Sequence, residues 1–310
     1  MAATDEITAG YAALTEGVAV VDRSERGKLF LTGPEAKDFL HGQVTNDIEG
    51  LTPGLGCYAA FLTHKGKMLG DLRVLDCGDG LWLDTERAAL QELFTLIRRF
   101  KIGRHVELEK RTIERGLLSL IGPRTPEVAR SPGPEHAHAP GNIDGTPVRV
   151  VATDLGVDLI CDSARTETLL AALRGRGAQH VSEAAAEIVR VESGRPRYGV
   201  DLDEAVIPQE AGLNERAVSF TKGCYVGQET VARLFYKGKP NRHLRGLRLS
   251  EPVPSGTELH LGDKAVGRVG SSVVSPRLGP IALAIVRREA TPGDELAAGA
   301  ASATVTEIPF

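Results

Sequence analysis

An amine, a thiol, a phenol, an amide and a carboxylate crowd into the octapeptide Lys222-Gly223-Cys224-Tyr225-Val226-Gly227-Gln228-Glu229. An amine close to a thiol favours the thiolate, which is the nucleophilic and metal-binding form. The two glycines permit positive φ or close backbone approach, as a loop wrapped around a ligand requires. Gln228 and Glu229 open a helix in which Val231, Leu234 and Phe235 share one face, and Lys237-Gly238 ends it. Cys224 therefore precedes a helix N-terminus, a second influence toward the thiolate, and Glu229 in the first turn complements the helix dipole. The competing reading of Cys224 is a small buried hydrophobe, and local sequence leaves both open.

Glu192 is a second candidate, because it breaks a local rule. Ser182 can cap a helix running through Ala186, Ile188, Val189 and Val191 to a stop at Gly194-Arg195-Pro196. The Glu192 carboxylate then meets the negative end of the helix dipole, a breach expected at functional sites. Arg190, Arg195 and Arg197 nearby offer a structural ion pair as the alternative. After the apolar stripe of Ala36, Phe39 and Leu40, the polar run Thr45-Asn46-Asp47 can end a helix, cap or bind. His136 and His138 lie in a Pro/Gly-rich stretch without a third ligand type, so ordinary polar roles are expected for both.

The elements that must carry these residues are a mixture of strands and amphipathic helices. Residues 18–22 and 28–31 read as a hairpin, and Gly33-Pro34 starts a helix. Residues 57–62, 68–75 and 81–84 read as an antiparallel meander, followed by a helix capped by Thr85 and packed through Leu90, Leu93, Phe94 and Ile97. Residues 130–147 are the best candidate for a mobile loop; strands at 148–152 and 157–161 and a helix at 163–175 follow. Beyond residue 240 the texture changes to short alternating segments at 244–249, 258–261, 265–272, 281–286 and 303–308, the pattern of a small all-β barrel or sandwich. The expectation is an α+β body over residues 1–239 and a β unit over residues 240–310.

With 310 residues the chain can form roughly two or three compact units. Lys plus Arg number 37 against 41 Asp plus Glu, a net charge of −4, so no stable nucleic-acid complex and no membrane association are expected. The first ten residues lack a basic stretch followed by an apolar one, so a secretory signal is not expected. Cys57, Cys77, Cys161 and Cys224 are widely separated, which argues against a zinc site, a disulfide framework or a permanent iron–sulfur cluster. A cytoplasmic location and no metal site are the corresponding expectations.

Several of these stretches share one resemblance. Residues 222–229 match every fixed position of K-G-C-[YF]-x-G-Q-E, a signature of the YgfZ family, folate-binding proteins related to the T-protein (aminomethyltransferase) of the glycine cleavage system. Residues 33–47 resemble the family's G-x-x-A-x-x-F-L-x-G-Q-x-T-N-D segment, and residues 190–201 its R-x-E-x-G-x-P-x-x-G-x-D run. Residues 267–272 and 278–286 resemble the T-protein barrel module, whereas residues 130–147 have no match. The resemblance implies a disk of two interleaved αβ units around a central folate cavity, with a C-terminal β-barrel packed on it. It also implies tetrahydrofolate or a derivative as cofactor, with Glu192 on the pterin, whose aminopyrimidinone edge offers two adjacent N–H donors to one carboxylate. Asn46, Arg197, Tyr225, Gln228 and Arg233 are the further folate-contact candidates, and Cys224, Lys222 and Asp71 the catalytic ones.

Two departures from the T-protein pattern bear on function. T-proteins have a D-D-L type stretch where this chain reads Leu69-Gly70-Asp71-Leu72, and a K-x-x-F-I-G-R type sequence where it has residues 222–229. Both favour an accessory factor that sustains assembly or repair of iron–sulfur enzymes, with those enzymes or their assembly machinery as partners. The alternative is a tetrahydrofolate-dependent aminomethyltransferase or other one-carbon transferase.

Overall fold

The computed structural model describes residues 2–310. In chain order the elements are α1 (Ala2–Glu16), β1 (Ala19–Asp22), β2 (Gly27–Thr32), α2 (Ala36–Gln43), β3 (Gly56–Leu62), β4 (Met68–Asp76), β5 (Leu81–Thr85), α3 (Arg87–Phe100), β6 (Glu107–Lys110), β7 (Arg115–Ile121) and α4 (Thr125–Val128). There follow β8 (His138–Ile143), β9 (Thr146–Ala152), β10 (Gly156–Asp162), α5 (Thr166–Gly175), β11 (Gln179–His180), α6 (Glu183–Glu192), α7 (Asn214–Ala217) and α8 (Gln228–Lys237). The last segment holds β12 (Arg242–Leu249), β13 (Glu258–Leu261), β14 (Lys264–Ser275), β15 (Gly279–Arg287), β16 (Glu295–Ala298) and β17 (Ala301–Thr306).

Two sheets form the body. One has the order β11-β1-β7-β10-β9-β8 and the other β3-β4-β5-β2-β6, so the chain leaves the first sheet after β1, builds the second, and returns at β7. The two units are thereby interleaved. Strand alternation puts Phe30 opposite Trp82, Leu75 opposite Trp82, and Leu117 opposite Ile160 in their respective ladders. These side chains meet across the sheets as a buried cluster of Leu75, Trp82, Leu117, Val151 and Ile160. Two residues further along the same strands the inner faces turn charged, with Arg73 opposite Asp84 and Ser119 opposite Asp158. The apolar half closes the layers, and the charged half leaves space between them.

The meander β3-β4-β5 matches the pattern of residues 57–84, and residues 242–306 close into a barrel of order β12-β15-β14-β13-β16-β17. Other expectations are corrected. Residues 18–31 contain both strands but no hairpin: β1 pairs with β7 and β11, and β2 with β5 and β6. Thr85 does not cap α3, since its hydroxyl donates to the Asp71 carbonyl at 2.6 Å and Glu86 occupies the cap position. Residues 138–143, placed in a mobile loop by their Pro and Gly content, form the edge strand β8 paired with β9. Pro140 is tolerated there because an edge strand has one side without ladder bonds.

The barrel is seated on α6 by the segment that resembles the R-x-E run. Arg190 donates to Asp201 at 3.0 Å and to the Ser271 hydroxyl, and Asp201 accepts from the Ser271 N–H at 2.7 Å. Glu192 accepts from the Tyr11 hydroxyl at 3.0 Å, from Ser275 on β14, and from Arg277 at 3.2 Å. A Cβ at Gly194, whose φ is +66°, would stand 2.7 Å from Ile308, and at Gly270 2.4 Å from Asp201, so close approach fixes glycine at both. Glu192 is thus a junction between α1, α6 and the barrel. Glu192→Ala strips the acceptor from three donors and should lower stability by about 2–3 kcal/mol in urea unfolding. An unchanged midpoint would show that the barrel is held elsewhere.

Candidate functional site

Between the charged inner faces lies a cavity of about 220 Å³. Asp71 enters it from β4, 5 % exposed, and the Tyr58 hydroxyl on β3 donates to its Oδ2 at 2.6 Å. Burial pushes the Asp71 carboxyl up to about 6, against the opposing hydrogen bond from Tyr58. Tyr58 is itself raised well above its ordinary value, first by burial and then by the Asp71 charge. A buried carboxyl brought near neutrality can hold or release a proton at physiological pH.

The floor is a buried ionic network that joins the sheets. Arg73 donates to Asp84 at 2.6 Å on its own sheet and pairs with Asp158 at 2.7 Å on the other. Arg26 adds a 2.9 Å bond to Asp84, and Ser119 a 2.6 Å bond to Asp158. Burial alone would raise the Asp84 carboxyl, but Arg26 and Arg73 outweigh it and hold the group below its usual range. On the α6 side, Arg197 bonds Glu183 at 2.6 Å and pairs with Glu187 at 3.2 Å. At the lip, Arg195 pairs with Asp154 at 2.8 Å and Arg216 with Glu135, and the Arg216 guanidinium stands 5.7 Å over the Tyr58 ring.

Nε of Arg73, Arg195 and Arg197 and Nδ1 of His136 are buried without a hydrogen-bond partner, and all four residues line this cavity. Each unpaired buried group costs about 1–3 kcal/mol, so their clustering marks a site completed by a polar guest or ordered water. His136 has φ +71°, a conformation uncommon outside glycine, and burial lowers its pKa to about 4, which keeps the imidazole neutral. Wider concavities exist on the molecule; convergence of buried titratable groups, not volume, singles this one out.

Of the candidate site residues, Asp71 and Arg197 line the cavity, and so do Arg190 and Arg195, read from sequence as ion-pair partners, and His136. Asn46 stands behind it, donating to the Tyr58 carbonyl at 2.8 Å and the Arg216 carbonyl at 3.4 Å, and so positions two of its walls. Glu192 is not among the lining residues, its carboxylate being taken up at the barrel junction. Lys222 is likewise committed: its ammonium donates to the carbonyls of His41, Val44 at 2.8 Å and Asn46 at 3.0 Å, which uses all three protons and caps the end of α2. That corrects the expectation that Lys222 serves the thiol. Burial lowers the Lys222 amine to about 8.

Tyr225 is a core residue whose ring lies 5.0 Å from the Lys222 amine, and burial raises its phenol to about 12. Cys224 is exposed, which removes its reading as a buried packing residue. Gln228 opens α8 half-buried and Arg233 on that helix is exposed; neither lines the cavity. Val226, Phe235 and Tyr236 are exposed on the same loop and helix, with Phe235 stacked on Phe220 at 3.8 Å.

Sequence reasoning missed Tyr58, Arg73, Asp84 and Glu135, and gave His136 only an ordinary polar role. A signal for one pair was available: Asp71 and Arg73 are charges at alternate positions in an apolar strand, hence on one face. The same alternation corrects the weight placed on Gly70. A side chain there points to the opposite face, where a Cβ would meet Ala89 at 3.0 Å and Leu93 at 3.1 Å on α3. The missing second acid is a packing difference and says nothing about proton transfer in the cavity.

Comparison with known proteins agrees with this architecture. Residues 2–222 match the GCVT N-terminal domain and residues 242–310 the glycine cleavage T-protein C-terminal barrel domain. An aminomethyltransferase of Streptomyces coelicolor is 29 % identical, over 92 % of this chain and 82 % of its own length. A tRNA-modifying protein YgfZ of Colwellia psychrerythraea is 27 % identical, over 76 % of this chain and 74 % of its own. The glycine cleavage system aminomethyltransferase T of Bartonella henselae superposes with a TM-score of 0.86 at 22 % identity, covering 98 % of this chain and 89 % of that one. By fold and by both matched domains, the chain belongs to the glycine cleavage T-protein family.

Proposed function

We propose that the central cavity binds the pterin head of a reduced folate and that the protein acts in the cytoplasm as an accessory factor for iron–sulfur enzymes, through Cys224. The observation that carries the folate reading is the buried Asp71 carboxyl among orphaned guanidinium and imidazole nitrogens. An aminopyrimidinone ring has adjacent N–H donors for the carboxylate and a carbonyl for the guanidinium groups. At about 220 Å³ the cavity falls below the ~300–1,000 Å³ of sites that enclose drug-sized ligands. It therefore suits a bicyclic head, with the aminobenzoyl-glutamate tail outside. Bound tetrahydrofolate would supply nitrogens able to carry a one-carbon unit. Asp71 would accept from the ring as a carboxylate, Tyr58 would orient that carboxylate, and Arg73 would hold the two sheets at their spacing.

The accessory reading is supported by the position of Cys224. An exposed thiol flanked by exposed Val226, Phe235 and Tyr236, outside the cavity, suits encounter with a protein rather than with a small molecule held between the sheets. The net charge of −4 argues against direct RNA contact. A one-carbon transferase is the second reading, favoured by the near-neutral Asp71.

Calorimetry with tetrahydrofolate should show binding that Asp71→Ala weakens by about 1–3 kcal/mol and Glu192→Gln leaves nearly unchanged. Equal affinity in Asp71→Ala would remove the pterin from this cavity. A group whose folded pKa is raised contributes stability in full below its unfolded value and loses it as pH rises through the folded value. For Asp71 that window runs from about 4 to about 6. Asp71→Asn should therefore be more stable than the parent at pH 7.5, by up to about 3 kcal/mol, with the gap closing by pH 4; a gap independent of pH would contradict the buried carboxyl. Cys224→Ser should keep folding and folate affinity yet fail to restore iron–sulfur enzyme activities in cells lacking the protein, and full restoration at matched soluble level would sink the thiol mechanism.

A further inference from the structure

Past the apolar plug that joins the two sheets, their inner faces diverge again into a second cleft of about 430 Å³, away from the charged cavity. Its floor is aromatic. Phe30 and Trp82 are cross-strand partners with ring centroids 6.1 Å apart and planes tilted by 54°, and Ile160 faces them from the other sheet. Trp82 is 8 % exposed, and its indole N–H is buried without an acceptor.

The cationic groups on this cleft differ in how they are paired. Arg111 is engaged by Glu109 and Glu114. Arg149, the ladder partner of Ile160, has its guanidinium against Nδ1 of His138 at 2.8 Å, and burial followed by the Arg149 charge lowers the His138 pKa, so that contact supplies no counter-charge. Arg115 is half-buried, and Asp162 is its ladder partner. Asp79 and Asp162 stand on the rim, but among the described residues no carboxylate lies within ion-pair distance of Arg115 or Arg149. Arg115 and Arg149 thus bring two guanidinium groups without a carboxylate partner to a cleft with an aromatic floor, and a planar carboxylate matches their fork geometry.

We propose that this cleft is a second binding site, for a small aromatic acid whose ring lies on Phe30 and Trp82 and whose carboxylate pairs with Arg115 and Arg149. The volume is within the ordinary range for an enclosed small molecule. Aromatic side chains supply ring contacts at low entropic cost, and the cations select the charged end.

Trp82 is the single tryptophan of the chain, so its fluorescence reports on the cleft floor. In the full-length protein, 2-naphthoate should change that emission saturably, with uncharged 2-naphthalenemethanol at least about tenfold weaker. Arg149→Gln and Arg115→Gln should each raise the midpoint by about tenfold. Calorimetry of 2-naphthoate in the presence of saturating tetrahydrofolate should give the same affinity as in its absence. Absence of a saturable change up to the solubility limit, equal binding of the alcohol, unchanged affinity in both arginine variants, or displacement by tetrahydrofolate would overturn the proposal. The acid-to-alcohol comparison needs no variant, so a failure of Arg149→Gln to fold leaves the test intact.

Discussion

Arg73 carries a charge into the space between two sheets and pairs there with Asp84 on one and Asp158 on the other. Burying three ionised groups costs several kcal/mol each before pairing, and breaking such a network by removing one partner leaves buried charge behind. The apolar half of the inner faces, from Leu75 and Trp82 to Leu117 and Ile160, can close by direct contact. The charged half cannot, because its groups need partners arranged in space. The central cavity is the geometric result, and Asp71, next along β4 on the same face, is buried at its wall with a raised pKa.

The strongest sequence motifs serve that cavity only in part: Arg190, Arg195 and Arg197 reach its wall, and the octapeptide at 222–229 does not. The run from Arg190 to Asp201 anchors the barrel: Arg190 and Asp201 reach Ser271, Glu192 reaches Ser275 and Arg277, and Gly194 makes room for Ile308. The octapeptide at 222–229 splits three ways, with Lys222 tying the end of α2, Tyr225 in the core and Cys224 on the surface. A motif reports that residue types are constrained together; it does not say that they converge on one ligand.

Much of the fold was legible because it is written in local period. The meander of β3, β4 and β5 and the barrel strands follow alternation and turn signals, and α3 and α6 follow their apolar stripes. The pairing of β1 was not, since the turn between residues 22 and 27 looks like a hairpin while the partners of β1 lie at β7 and β11. Strand β8 was hidden by Pro140 and Gly141, residues that an edge strand accepts. The cavity itself was legible only in fragments. Asp71 and Arg197 were found, but His136 and Glu135 arrive from a Pro/Gly-rich segment whose role depends on where the chain folds back, and Tyr58 and Asp84 show no local pattern.

The decisive measurement is a crystal structure of the protein with a bound tetrahydrofolate derivative. The bicyclic head is expected between the sheets, within hydrogen-bond distance of the Asp71 carboxyl, with the tail leaving past the Arg195 and Arg216 lip. A head seated at Glu192 beside the barrel, or in the aromatic cleft at Trp82, would contradict that placement.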